Sequence, residues 1–349
     1  MARDPEIPKL VQDASWLAHR YDPGRDAVHF LHVPREMHRG ATFLTDEFLG
    51  DAGAPIVLAR KSALAAMPEQ APVHFIFHSA YCCSTLLARA FDIEGTSMGL
   101  KEPVILNDLI GWRQRGAERA ALAEMLDAAL ALLARPFGAG EAVIVKPSNL
   151  INPFATAMLA MRPEAGALLL HAPLPIFLGS IARKGMWGRL WVRELFVKLG
   201  RDGFMDYGFS AEEVMGQTDL QIAAIGWLGQ HRLFAALAQR FPDRVRTLDS
   251  ETLLARPAEV IAALARLYRL PLDGEAVARV ARGEAFTRHS KGGKSFGRGE
   301  RQAEQRDAAA VHADEIEKVM VWAEAVANSA GQSLTLPAPL LDRTATSSD

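Results

Sequence analysis

The stretch Val73–Phe91, VHFIFHSAYCCSTLLARAF, constrains this chain more than any other. An apolar run of strand character passes through a short polar loop directly into an amphipathic helical pattern, a succession that belongs to α/β architectures. The first amides of a helix lack carbonyl partners and lie at the positive end of its dipole, so a loop turning there is expected to cradle an anion. Ser84 and Thr85 suit that turn, since either hydroxyl can cap the helix or touch a ligand oxygen. The glycines and lysine of a nucleotide-hydrolysing P-loop, GxxxxGK[ST], are missing, and HSAYCCST stands in their place. Many strand-to-helix turns carry Ser-Thr caps and bind nothing, so capping alone is the competing explanation.

Strand-like runs recur after Phe91: GTSMGL ahead of Lys101, AVIVKP from Ala142, ALLLHAP from Ala167 and RVRTLD from Arg244. Helical patterns at Glu118–Ala134 and Thr218–Phe241 separate them, with apolar residues at three and four spacing. Such alternation predicts a three-layer α/β/α fold with a central, mainly parallel sheet and its site at the strand C-terminal ends. Residues 1–72 read as an N-terminal accessory layer with a helix near Leu10–Ala18 and a strand from Asp26. Residues 73–328 form the main domain, in which a helix pair over Pro257–Ala281 is broken by RLPLDG and a last helix covers about Gln302–Asn328. Residues 329–349 are expected to be a disordered tail.

Composition narrows the function classes. A formal charge of −2 over 349 residues excludes a global basic field, so a nucleic-acid partner is not expected and any anion attraction must be local. Hydrophobic residues at 49% and charged residues at 23% match an ordinary globular chain rather than a disordered or membrane one. Cys82 and Cys83, the only two cysteines, are adjacent, a spacing that rarely suits a disulfide, and this implies a reducing compartment. Near a helix N-terminus a thiol pKa is lowered, which permits a redox or nucleophilic role, with simple packing as the alternative. No CxxC or HExxH spacing exists, so no metal is expected. The opening MARDPEIPKL places charges where a signal peptide has its apolar core, and no run of 18 apolar residues occurs, so a cytoplasmic protein with no membrane partner is expected.

Several cationic and imidazole side chains fall at predicted strand ends. Lys101, after the second strand, can line an anion pocket or be a solvated loop lysine. Lys146 and Ser148 follow a buried strand at the edge where α/β ligands bind, and a lysine there acts as a point charge. Ser180 shares a helix face with Arg183 or Lys184, a phosphate grip or simply a basic helix end. The late loop HSKGGKSFGRGER carries Lys291, Lys294 and Arg298 among glycines, either an anion lid or a surface linker. His78 and His171 end strands and are candidate bases, with a hydrogen-bonded sheet-edge histidine as the alternative for each. The aromatic-rich stretch GMWGRLWVRELFVKLGRDGFMDYGF forms either an apolar acceptor wall or core.

Taken in order, these stretches resemble the sulfotransferase superfamily, and in particular a divergent bacterial branch, over about Val73 to Arg301. FIFHSAYCCSTLLARAF is similar to the family's 5′-phosphosulfate loop, KEPVILNDL and VIVKPSN to the stretches that follow, RVRTLDSETLLARPAEVIAALARLYRLPLD to its late strand and helix pair, and HSKGGKSFGRGER to its terminal cofactor loop. The resemblance implies a P-loop-type fold and 3′-phosphoadenosine 5′-phosphosulfate as cofactor. It places Ser79, Ala80, Tyr81, Cys82, Cys83, Ser84 and Thr85 on the 5′-phosphosulfate, and Ser180, Arg183, Lys291, Lys294 and Arg298 on the 3′-phosphate. Lys101 lies beside the anion, Lys146 over the sulfuryl group, and His78 or His171 takes a proton from a small-molecule alcohol or amine whose identity the sequence leaves open.

Two positions depart from the family pattern. Tyr81 stands where the family loop carries a lysine or arginine, and Ala172 where an arginine precedes the 3′-phosphate serine. Both remove cations, which leaves open a catalytically degenerate nucleotide-binding or interaction protein on the same fold. A nucleotide-dependent phosphotransferase is the weaker alternative, because the Walker lysine and a strand-end aspartate for magnesium are missing.

Overall fold

Parallel strands buried on both faces read as unbroken apolar runs, and the central strands of this chain do so. A computed structural model describes residues 6–50, 52–287 and 298–342. Eight strands are described: β1 Trp16–Asp22, β2 Ala27–His32, β3 Ile56–Ala59, β4 Val73–His78, β5 Ser97–Lys101, β6 Ala142–Lys146, β7 Ala167–His171 and β8 Val245–Asp249. The last five form one parallel sheet in the order β5-β6-β4-β7-β8, flanked by helices, as the alternating pattern predicts. Every residue of β4, β5 and β6 is buried. By contact density the chain divides into two compact units, Met1–Ile76 with Thr85–Gly166 and Tyr268–Asp273, and Phe77–Ser84 with Ala167–Leu267 and Gly274–Asp349.

In the first unit, β1, β2 and β3 make a separate antiparallel sheet. The helix expected near Leu10–Ala18 is instead Glu6–Gln12, followed by β1. Long-range pairing accounts for the difference: Trp16, Leu17 and Ala18 face His32, Leu31 and Phe30 of β2, which helical periodicity cannot foresee. Arg135 fastens the entry to this sheet, donating to the carbonyls of Val11 and Trp16 at 2.7 Å each and to that of Leu132 at 2.6 Å. Burial pushes this guanidinium down to about 10.

β5 runs beside β6 with Lys101 opposite Lys146, so two lysines end neighbouring strands. Gly99 lets β5 lie against the helix Ser84–Ala90: a Cβ at this position would sit 2.2 Å from the Ala88 carbonyl oxygen. Tyr268 stacks on His74 at 4.9 Å and donates its hydroxyl to the Phe75 carbonyl at 3.0 Å, pinning β4 from outside the sheet.

In the second unit, β7 pairs with β8 in register from Ala167↔Val245 to His171↔Asp249. Asp249 accepts from the amides of Glu251 and Thr252 and so caps the helix Ser250–Ala255. Thr218 and Gln221 form a capping box on the long helix Asp219–Arg240. Residues 337–340, expected within a disordered tail, run along β8 instead: Thr247 donates to the Ala338 carbonyl at 2.9 Å and accepts from Leu340 at 2.8 Å. An edge strand's open hydrogen-bonding groups recruit this segment. Among the described residues no helix is long and apolar enough to cross a membrane.

Candidate functional site

The loop after β4 belongs to the second unit and adopts a conformation that L-residues rarely take. Ala80, Tyr81 and Cys83 have φ of +72°, +52° and +65°. Left-handed non-glycine residues each cost roughly 1–2 kcal/mol, and successive amides turned inward by such a bend form an anion-binding concavity. Ser79 is fully buried, and its hydroxyl has no hydrogen-bond partner among the described residues. The following helix, Ser84–Ala90, is only seven residues long, so the bend itself, rather than a long helix dipole, defines the feature.

Not every donor assigned to the cradle is open. The Ser79 amide donates to the Leu170 carbonyl at 3.1 Å, extending the sheet, and the Ala80 amide donates to His78 Nδ1 at 3.1 Å. His78 is buried and holds the bend in place with the nitrogen that a base would use. Cys82 is fully buried with its thiol on the Leu170 carbonyl at 3.4 Å, a packing role, whereas Cys83 is half-buried. Ser84 is buried at the helix start.

Tyr81 lies in an aromatic nest, edge-on to Trp191 at 5.3 Å and 6.1 Å from Phe177. Burial pushes its phenol upward, so it stays neutral. Those rings come from two consecutive helices, Leu174–Arg183 and Gly185–Gly200, joined at Lys184. The Lys184 ammonium lies over the Tyr81 ring at 5.6 Å and over Trp187 at 5.0 Å. The aromatic stretch is thus divided: Trp191 packs inward, while Met186, Trp187, Leu190 and Val197 are exposed. Ser180 donates to the Ile176 carbonyl at 2.8 Å in its own helix, so its hydroxyl proton is already used. Arg183 is exposed one turn on. His171 meets His231 edge to face at 4.7 Å, and burial pushes it down to about 4 against the opposing pull of Asp249. Ala172, where the resemblance lacks its arginine, is fully buried, and its carbonyl accepts from Trp227 Nε1 at 2.8 Å. Lys291 and Lys294 lie outside the described residues, and of Arg298 only the helical backbone is described.

In the first unit Lys146 ends β6 with 1% exposure. Its ammonium is ion-paired with Glu102, reaches Thr85 Oγ1 at 3.5 Å and lies over the Phe43 ring at 4.9 Å. Glu102 is a partner of this candidate lysine that the sequence reading did not single out. Its signal was present: KEP and KPS end adjacent strands, and the Lys101↔Lys146 register sets Glu102 beside Lys146. Lys101, expected to line an anion pocket, makes backbone contacts in this structure. Its ammonium is buried and donates to the carbonyls of His38 at 2.7 Å and Arg39 at 3.0 Å, satisfying the last turn of the helix Arg35–Gly40. Burial, with the Arg89 charge beside it, pushes Lys101 down to about 7.

Among the described residues no group of three or more His, Cys, Asp or Glu is placed to hold a metal ion. No protein-family model and no curated protein matches the chain. Among the solved structures that match, a sulfotransferase domain from the curacin biosynthetic pathway aligns over 76% of this chain and 99% of that one, with 12% identity and a TM-score of 0.40.

Proposed function

We propose that this chain is a sulfotransferase that takes its sulfuryl group from 3′-phosphoadenosine 5′-phosphosulfate and passes it to a hydroxyl or amine of a small molecule. The observation that carries the proposal is the left-handed bend at Ala80, Tyr81 and Cys83, entered from the buried Ser79, whose hydroxyl has no hydrogen-bond partner among the described residues. Strain of this kind persists where function requires it, and inward-turned amides suit a divalent anion. Sulfuryl transfer resembles phosphoryl transfer in needing position and charge neutralisation rather than a covalent nucleophile. In this proposal the bend holds the 5′-phosphosulfate, and Lys146 keeps only the expected role of point charge that the resemblance gives it, its ammonium held within the first unit by Glu102. His78 organises the bend rather than acting as base. His171, neutral above its lowered pKa, keeps the role of proton acceptor, and Arg183 contributes to the 3′-phosphate.

A second proposal has a specific observation in its favour. The Lys146 ammonium is already engaged by Glu102, and neither Tyr81 nor Ala172 supplies a cation, a pattern that fits a nucleotide-binding protein without turnover. Thermal unfolding with 3′-phosphoadenosine 5′-phosphate, with adenosine triphosphate and magnesium, and with buffer tests the binding step. Ligand at a hundred times its Kd adds about 2.7 kcal/mol to the native state. A stabilisation by the first compound alone, lost in Ser84→Ala/Thr85→Val, is expected. A radiolabelled-sulfate transfer screen then separates enzyme from binder. Stabilisation that survives the double substitution removes the bend as the site.

A further inference from the structure

We infer that His171 and His231 together seat the nucleophilic oxygen of the acceptor, which makes that acceptor an alcohol rather than an amine; this inference rests on the proton-acceptor role proposed for His171 above. In the second unit the buried side-chain atoms left without a hydrogen bond among the described residues are Ser79 Oγ, His171 Nδ1, both ring nitrogens of His231 and Gln217 Oε1. All but the last gather in one region: Ser79 follows β4, His171 ends β7, and His231 meets His171 from the helix Asp219–Arg240. The Ser79 amide donates to the Leu170 carbonyl, so the bend begins one residue from His171. His231 is only 1% exposed, and a buried polar atom without a partner costs its full desolvation. A leucine would fill that helix position without the cost. The imidazole is instead held in a set orientation, stacked on Trp227 at 3.4 Å and edge to face with His171 at 4.7 Å. Trp227 in turn donates its indole N–H to the Ala172 carbonyl at 2.8 Å, so the residue after His171 anchors the ring that orients His231.

Chemistry selects the occupant. Burial pushes His171 down to about 4 against Asp249 and the carbonyls of Leu169 and Leu248, and burial with the neighbouring His171 pushes His231 well down against the Trp227 carbonyl. Both rings are therefore neutral at neutral pH, each with one N–H and one lone pair. A hydroxyl donates to a lone pair and accepts from an N–H at once, and a centroid separation of 4.7 Å is short enough for one oxygen to meet a nitrogen of each ring. An alkylammonium has only protons to give, and it brings a full charge into surroundings that keep both imidazoles uncharged. A metal ion needs further ligands, and among the described residues no group of three or more His, Cys, Asp or Glu is placed to supply them. In the transfer step the alcohol proton passes to His171 Nδ1 as the oxygen–sulfur bond forms. The bond from sulfur to the bridging phosphate oxygen breaks, and its electron pair leaves on the phosphate. The His231 N–H holds the attacking oxygen in line, and His171, the partly exposed member of the pair, lies on the side of entry.

The test is nuclear magnetic resonance of the full chain labelled with 15N-histidine, titrated with methanol and, separately, with methylammonium, the smallest alcohol and amine. Saturable shifts of the His171 and His231 ring nitrogens are expected with methanol, at a Kd no tighter than about 10 mM for a ligand of two non-hydrogen atoms. Methylammonium is expected to move neither ring. In His231→Phe the methanol response of His171 is expected to weaken about 10-fold or more, and in His231→Gln, whose amide also donates and accepts, to recover in part. The parent titration decides the assignment without either variant: no saturable response to methanol, a response of only one ring, or an equal response to methylammonium overturns it. An unchanged His171 response in a folded His231→Phe overturns the part given to His231. Calorimetry with 3′-phosphoadenosine 5′-phosphate on the parent keeps the two readings apart. Its binding without a methanol response overturns this inference alone, whereas a methanol response without its binding overturns the sulfotransferase proposal and leaves the two rings as a hydroxyl site.

Discussion

Lys146 and Glu102 form an ion pair across the ends of two adjacent parallel strands, with the lysine 1% exposed and the carboxylate next to the second strand-end lysine, Lys101. Each strand end alone looks like an anion-facing cation. Paired, the two strands present one neutralised charge and one lysine committed to backbone carbonyls.

Removing one partner of a buried pair strands the other. Glu102→Gln is expected to cost about 3 kcal/mol in urea unfolding, near the low end of the range for buried pairs because Glu102 keeps some solvent contact. Lys146→Met combined with Glu102→Leu is expected to be less destabilised than the sum of the single changes. Strictly additive losses in that cycle would show that the two residues are not coupled.

Ala80→Gly is expected to stabilise the fold by roughly 0.5–1 kcal/mol, because glycine takes a φ of +72° without the Cβ penalty and this gain exceeds its extra unfolded-chain entropy. His78→Phe, which strands the Ala80 amide, is expected to cost about 1–3 kcal/mol, and His78→Asn to recover part through its side-chain oxygen. Chemical denaturation checks all three, and a destabilised Ala80→Gly contradicts the left-handed bend.

Gly99→Ala places a methyl against the Ala88 carbonyl, a backbone atom that cannot rotate away. A loss of about 1–3 kcal/mol is expected from the forced separation of helix and strand. Calorimetry reads it as a lower Tm, and an unchanged Tm contradicts the close approach.

Lys101 titrates near 7 in the folded chain and near 10.5 when unfolded, so between those values the unfolded state holds more protons and stability rises with pH. The neutral amine keeps two N–H donors, enough for the carbonyls of His38 and Arg39. Relative to Lys101→Met, the parent is expected to gain up to about 1.4 kcal/mol per pH unit on going from pH 7.5 to 9.5. A constant difference across that window refutes the shift.

His74 and His171 act in the same sense as Lys101, in a lower pH window. Both are pushed down to about 4 by burial, so the stability from keeping them neutral is complete above 6.5 and is lost as pH falls toward 4. His74 Nδ1 accepts from the Gly166 amide at 3.0 Å, which protonation of that nitrogen abolishes. His74→Gln is expected to flatten the decline in Tm between pH 6.5 and 4.5, and an unchanged slope argues against His74 as a contributor.

The five central strands and the long helices were legible because each is written in a local pattern, either an unbroken apolar run or apolar residues at helical spacing. β1 was not, since its partner β2 decides its conformation, and the segment 337–340 was not, since only the open edge of β8 orders it. The candidate site divides in the same way. The loop after β4 was readable from VHFIFHSAYCCST, but the fates of Lys101, Lys146, Ser180 and Lys184 were not.

By itself the sequence determined the parallel α/β framework and the place of its sharpest turn, because backbone hydrogen bonding and the burial of apolar faces are satisfied by local periodicity. Only the tertiary structure decided what each cation does: Lys101 on two carbonyls, Lys146 on Glu102, Lys184 over Tyr81. A charge takes its role from whatever lies within a few ångströms of it, and those neighbours are brought there from remote parts of the chain by folding.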